Sequence, residues 1–339
     1  QRNTNGMLAP GMQLPAVVGA SAPYQNTADM RTRGWELSVN WRDQIGKVGY
    51  RVGFNLSDSQ SKIVKYNSNE SGILTSALSN GSTFWNYYEG KDLGEIWGYE
   101  YDGFYTVDDF TDTSSWKLKE GVPSIDGYNP RPGDVKFKNL MDDDRGTNMI
   151  SSGDNTVSNP GDRKVIGNNT PRYLYGITLG ANFKGFDLNV FMQGTGKRDA
   201  WIANNLKFPL YSDFKFIALY KDLGNYWKPV DAANGDYTAA NPNAEFPRIY
   251  GNYGNQGSNY RQSDKYLSDA SYFRIKNVTL SYTFPKAWIT KASLSQLKAF
   301  VSIENLATFS SLPKGIDPET LSWNYPAFRT VSFGLNVTL

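Results

Sequence analysis

The chain has 339 residues and a formal net charge of +2, from 35 basic and 33 acidic side chains. So weak a field excludes attraction of nucleic acid or of strongly acidic substrates by bulk charge. Cysteine and histidine are both absent, which excludes a disulfide framework, thiol nucleophiles, Ser-His-Asp triads and ordinary zinc sites.

No apolar run approaches the ~20 residues of a membrane helix, but a β-barrel needs only every second residue apolar. Gln1 opens the chain with neither Met nor a signal-like stretch, so it reads as a mature or truncated piece. Residues 1–32 are turn-rich, with Ala9-Pro10-Gly11, Leu14-Pro15 and Ala22-Pro23, and predict a loop after a strand lying mostly upstream. From Gly34 to Arg42 the pattern alternates. Trp35, Leu37, Val39 and Trp41 take one face; Glu36, Ser38, Asn40 and Arg42 take the other. A turn at 43–46 leads to a partner strand carrying Val48, Tyr50, Val52, Phe54 and Leu56. A weaker pair is expected near Thr83–Tyr88 and Gly94–Tyr105, around the turn Glu89-Gly90-Lys91-Asp92. Residues 106–170 carry no period and read as a very long loop.

A second clean hairpin follows. Tyr173, Tyr175, Ile177, Leu179, Ala181 and Phe183 pass through the turn Lys184-Gly185 to Phe186, Leu188, Val190 and Met192. Residues 195–271 predict another long loop. Val278, Leu280, Tyr282 and Phe284 then alternate with polar residues, 285–295 is a turn with room for one helical turn, and Leu297, Ala299, Val301 and Ile303 form the next strand. After a loop over 306–328 comes the cleanest strand. Val331, Phe333, Leu335, Val337 and Leu339 alternate with Thr330, Ser332, Gly334, Asn336 and Thr338. Its polar face is small and uncharged, unlike the Lys- and Glu-bearing face of a soluble sheet, and suits the inside of a barrel whose apolar face meets lipid.

About nine strands and a fragment are expected, each near the roughly 9–11 residues that cross a tilted wall. Short and long connections alternate, as they do between the periplasmic and outer sides of bacterial barrels. An odd count predicts a wall that does not close alone.

The ordered succession of short stretches resembles SusC/RagA-type TonB-dependent outer-membrane transporters of Bacteroidetes. The stretches are Arg33-Gly34-Trp35-Glu36-Leu37, Trp97-Gly98-Tyr99 with Asp102-Gly103, Pro132-Gly133-Asp134-Val135-Lys136, and Pro171-Arg172-Tyr173 through Asp187-Leu188. Ser268 through Tyr282, Ser302-Ile303-Glu304-Asn305-Leu306, Tyr325-Pro326 and Arg329 through Asn336 follow in order. The resemblance implies an all-β fold: a transmembrane antiparallel barrel of roughly 22 strands with a plugged lumen, of which residues 1–339 are the C-terminal part, the plug lying outside this chain. It also implies the bacterial outer membrane, a SusD-like lipoprotein as lid, TonB-ExbB-ExbD acting through the absent N-terminal region, and import of an oligosaccharide or a peptide. The family's acidic run after the Gly-Asp-Val-Lys motif differs here, reading Asp142-Asp143-Asp144-Arg145-Gly146, and the last residue is Leu339 where an aromatic is common.

With no His or Cys, enzyme activity is not expected; the rival readings are a peptide importer, a passive porin-like barrel and an outer-membrane hydrolase. For substrate binding the candidates are Trp201, Asn204, Asn205, Tyr211, Trp227, Tyr253, Asn255, Tyr260 and Arg261, where aromatic faces and amide or guanidinium donors could meet sugar rings. The competing reading is that they fold the loop onto itself or touch the lid. Asp142, Asp144 and Asp154 offer hard oxygen ligands for Ca²⁺ but miss the EF-hand spacing, so a solvated acidic loop competes. Trp35, Trp41, Tyr50, Tyr173, Tyr175, Tyr272 and Trp288 read as an interfacial girdle. Glu36, Arg42 and Arg51 are expected to face the lumen.

Overall fold

A computed structural model describes residues 1–10, 23–77, 83–125, 127–141, 149–202, 208, 221, 224–249, 256–290, 293–321 and 327–339. Eight antiparallel strands form one sheet in chain order: β1 (Arg2–Pro10), β2 (Tyr24–Ile45), β3 (Val48–Tyr66), β4 (Arg172–Phe183), β5 (Phe186–Lys197), β6 (Tyr272–Thr283), β7 (Gln296–Ser310) and β8 (Thr330–Thr338). No helix among the described residues is long and apolar enough to cross a membrane.

The two faces of this sheet have opposite chemistry row by row. Trp41 lies beside Val52, then Leu179, Val190, Val278, Ile303 and Val331, a continuous apolar row across seven strands. The next row is Arg42, Arg51, Gly180, Asn189, Thr279, Ser302 and Ser332. The apolar face is open: Phe333 is 80% exposed, Leu335 66% and Trp41 58%. Water would make such a surface untenable, whereas lipid makes it the natural exterior. On the inner face polar groups serve one another. The Thr279 and Ser302 hydroxyls lie 2.8 Å apart, the Asn277 amide donates to Ser302 at 3.0 Å, and Arg51 donates to Asn189. Gly180 makes room for that arginine; a Cβ there would sit 2.5 Å from its Nε. The sheet is a sector of a transmembrane barrel wall.

The β2–β3 turn is Gly46-Lys47, one residue past the expected 43–46. Gly46 has φ +60°, which suits the first central position of a type II′ hairpin. Lys184 and Gly185 both have positive φ, +45° and +89°, the type I′ pattern. Lys286–Ile289 is the helical turn expected between β6 and β7. These short turns share one rim. The connections over 11–23, 67–171, 198–271 and 311–329 share the other.

Two expectations are corrected. Of residues 1–32, those described are nearly all strand, in Arg2–Pro10 and the start of Tyr24–Ile45, and residues 11–22 lie outside the described residues: Met7 and Ala9 on β1 pack against Ala28, Ile63 and Tyr66 of the β2–β3 hairpin. Together with β2, at 22 residues and about 70 Å of rise, this hairpin projects well beyond the lipid band. The pair near 83–105 does not join the wall. Thr83–Trp85 pairs with Thr75–Ala77, and Glu95–Tyr99 pairs with Arg163–Asn168. Four of the five residues of Glu95–Tyr99 are buried, whereas a wall strand must keep one face open to lipid. Among the described residues the wall therefore has eight strands, an even number in place of the expected nine and a fragment, and the long connection expected over 106–170 begins at 67.

Candidate functional site

Beyond the long-loop rim the connections fold into a body with its own cores. Tyr99, Ile125, Val135, Phe137 and Ile150 form one. Ala200, Ile202, Ala270, Leu312 and Ile316 form another, joining the connections over 198–271 and 311–329. Polar groups bind the connections together as firmly. Asp134 is fully buried and accepts from the Arg131 backbone N–H at 2.7 Å, Arg248 Nε at 2.8 Å and Asn259 Nδ2 at 3.1 Å. Asn259 returns a bond, accepting from the Val135 backbone N–H at 2.8 Å. A buried carboxylate survives only with such compensation. Gly133 beside it has φ +90°, and a Cβ there would lie 2.3 Å from the Trp227 indole. Asp162, also fully buried, accepts from the backbone N–H groups of Leu140, Met141 and Ser151, holding residues 140–141 beside residue 151.

Where this body meets the wall lies a cavity of about 700 Å³, the size of an ordinary ligand pocket. β3 runs past the start of β4, and there residues 90–93 take its free ladder. Ile63 donates to the Lys91 carbonyl at 2.9 Å, and Leu93 donates to Ser61 at 2.8 Å. Gly94, at φ +86°, is pressed against the entry to β4; a Cβ would lie 2.3 Å from Thr170 Oγ1. Arg198 enters from just beyond β5, and Trp85, Trp201 and Gln262 complete much of the lining. The Trp85 indole donates to Gln262 Oε1 at 3.3 Å, closing two connections over one another.

The cavity's charges are unevenly answered. Lys91 is only 5% exposed, and its ammonium donates to the Asn86 carbonyl at 2.8 Å and lies over the Tyr87 and Tyr88 rings. Burial lowers its pKa to about 8. Arg198 donates from Nε to the Asn169 carbonyl at 3.0 Å and from Nη1 to the Pro318 carbonyl at 3.1 Å. Neither cation meets a carboxylate among the described residues. The cavity's own carboxylate, Glu95, is engaged elsewhere: it accepts from Tyr88 Oη and, at 2.9 Å, from Trp97 Nε1. Burial pushes its carboxyl up, with the Trp97 bond opposing.

No family model matches the chain. It is 28% identical over 345 residues to TonB-dependent receptor P3 of Formosa agariphila, an overlap covering 96% of this chain and 30% of that protein. It is 23% identical over 347 residues to TonB-dependent receptor SusC of Bacteroides thetaiotaomicron, covering 99% and 29%. Among solved structures the RagAB peptide transporter superposes with a TM-score of 0.66 at 20% identity, covering 99% of this chain and 32% of that one. The RagAB importer in its closed-closed state gives 0.65. Over nearly its whole length the chain is similar to SusC-like TonB-dependent receptors. It spans about 30% of the length of the curated relatives it matches and corresponds to the C-terminal portion of the barrel, in the bacterial outer membrane.

Within this rim the predicted aromatics divide. Trp201 lines the cavity while packing against Phe208 and Tyr266, with ring centres 5.6 and 6.1 Å away. Trp227 is 5% and Tyr260 8% exposed. Trp227 lies on Gly133, and Tyr260 stacks on Phe208 at 4.7 Å. Their ring faces are spent on the loop core and offer no platform to a sugar. Arg261 is half-buried over the Tyr99 ring. Asn204, Asn205, Tyr211, Tyr253 and Asn255 lie outside the described residues. So do Asp142 and Asp144; Asp154 is exposed and accepts from the Asn159 amide at 3.0 Å. Among the described residues no three acidic groups converge on a cation position. Sequence reasoning missed Lys91, Arg198, Trp85 and Gln262. Lys91 lay within an expected turn, Glu89-Gly90-Lys91-Asp92, and only its placement on β3 makes it a cavity residue.

Proposed function

We propose that this chain supplies wall and rim to a barrel that imports oligosaccharide nutrients across the outer membrane. The observation that carries the reading is the cavity of about 700 Å³, lined by Trp85, Trp201, Arg198 and Gln262, set at the junction of a polar-lined wall and a folded rim. Ring faces beside fixed donors are what a saccharide needs. In this reading the long-loop rim faces outward, a SusD-like lipoprotein covers it, and TonB-ExbB-ExbD drives transport through a region outside this chain. β1 and β8 are each paired on one side only among the described residues. Unpaired strand edges are costly in lipid, so further strands complete the wall. Peptide import is the second reading, favoured by the structural likeness to RagAB.

The test is purification of the receptor from outer membranes in mild detergent with peptide sequencing of the complex, followed by growth of a deletion strain on single polymers. Recovery of a surface lipoprotein and loss of growth on one glycan are expected. Recovery of the barrel alone, with unchanged growth on every glycan, refutes the proposal.

A further inference from the structure

We propose that the rim cavity selects saccharides bearing an anionic group, a carboxylate or a sulfate ester, with Arg198 and Lys91 as its anion-binding residues and Trp85 and Trp201 as its ring-facing walls. The inference rests on the oligosaccharide-import reading and narrows its substrate class.

The argument begins with charge. Lys91 and Arg198 are the cavity's cations, and neither has an ion-pair partner among the described residues. Each is held by backbone carbonyls: Asn86 for Lys91, Asn169 and Pro318 for Arg198. A carbonyl satisfies a donor and fixes its direction but leaves the positive charge unanswered. Nearby carboxylates are committed elsewhere. Glu95 serves Tyr88 and Trp97, and the carboxylate of Glu319, whose backbone carbonyl and that of the adjacent Pro318 both accept from Arg198, salt-bridges Arg274 and Lys276 at 3.1 and 3.0 Å. Among the described residues Arg198 bonds through Nε and Nη1 only, leaving Nη2 for a ligand oxygen. A nearly buried ammonium without a counter-ion is costly by itself, and an incoming anion relieves that cost.

The ring-bearing part of the ligand follows from the walls. Trp85 is fixed by its bond to Gln262 and by Arg163 over its ring at 5.9 Å, and Trp201 by Phe208 and Tyr266. Rigid indoles suit flat sugar faces. An extended peptide would instead seek a free strand edge. The strand bordering the cavity, Glu95–Tyr99, is paired along Arg163–Asn168 and bridged on its other side at Tyr99 by Ser263.

The test uses the detergent-purified complex on an array of neutral, uronate-bearing and sulfated oligosaccharides with acidic hexapeptides, then titration calorimetry with the strongest binder. Acidic saccharides should dominate. Arg198→Gln should weaken their binding about tenfold or more, the worth of a lost charge-assisted bond. Arg198→Lys should keep much of it, and added salt should weaken the wild type. If Arg198→Lys fails as badly as Arg198→Gln, the residue acts by holding the 169 and 318 carbonyls and the inference falls. It falls equally if neutral glycans bind as well as acidic ones, if only acidic peptides bind, or if nothing on the array binds. Growth of the deletion strain then separates the two claims: lost growth on a neutral glycan keeps import and discards anion selection, while unchanged growth on every glycan discards both.

Discussion

Removing the Asp134 carboxylate should unlock the rim body while leaving the wall intact. Asp134 is fully buried and joins residues 131–135 to Arg248 and Asn259, more than 110 positions away. Asp134→Ala deletes the acceptor for three donors at 2.7–3.1 Å and leaves a guanidinium and an amide facing a gap. Breaking a buried pair by removing one partner costs about 3–5 kcal/mol. Unfolding of a large membrane barrel is not reversible, so a global free energy is the wrong readout. Amide exchange reads the local one. The Tyr105 amide donates to the Asp134 carbonyl and that of Gly133 to the Tyr105 carbonyl, both at 2.8 Å. An opening made about 3 kcal/mol cheaper speeds exchange there more than about a hundredfold. Amides of β6 and β7 should keep their protection. Asp134→Asn, which keeps shape and one acceptor, should cost less. Unchanged exchange at Gly133 and Tyr105 in the alanine variant would refute the idea that this carboxylate holds the rim together.

Further outcomes follow from the same contacts. Leu335→Lys puts a charge on the lipid face and should destabilise assembly by about 2–4 kcal/mol, seen as lost heat-resistant migration on a gel; Ser332→Lys, pointing inward, should assemble normally. Gly133→Ala should mimic rim unlocking, because its Cβ would overlap the Trp227 indole at a φ of +90°; wild-type protease resistance of residues 224–249 would count against it. Burial holds the Lys91 pKa at about 8 in the folded rim, against 10.5 ordinarily. Between those values the unfolded chain binds more protons, so rim stability should rise with pH from about 8 to 10. Lys91→Met should abolish that rise, and an identical pH profile in the variant would show the titration to be irrelevant.

The wall was legible because lipid imposes a rule on every second residue. Trp41, Val52, Leu179, Val190, Val278, Ile303 and Val331 needed no knowledge of their neighbours to be placed on one face. β1 escaped notice because Met7 and Ala9 lie beyond the lipid band, where that rule lapses and packing against Ala28, Ile63 and Tyr66 decides. Glu95–Tyr99 was mistaken for wall because five residues rich in aromatics look like a strand in either setting. Burial of four of them distinguishes the settings, and burial depends on Arg163–Asn168, far along the chain.

The rim fails to be legible for a deeper reason, which bears on function. Once long connections fold into a body, the most aromatic positions become its core, as Trp227 and Tyr260 have. Composition alone therefore points first to residues unable to meet a ligand. What remains for binding is the seam between body and wall, where side chains come from β-strand ends and turns: Lys91 after β3, Arg198 after β5, Trp85 and Gln262 from separate connections. Such a seam couples binding to the relative position of rim and wall. A ligand anion held jointly by Lys91, on the β3 side, and Arg198, on the β5 side, would draw these elements together. Protection of the Lys91–Leu93 and Ala200–Ile202 amides should then rise together on binding, and a rise in one without the other would place the ligand on a single element.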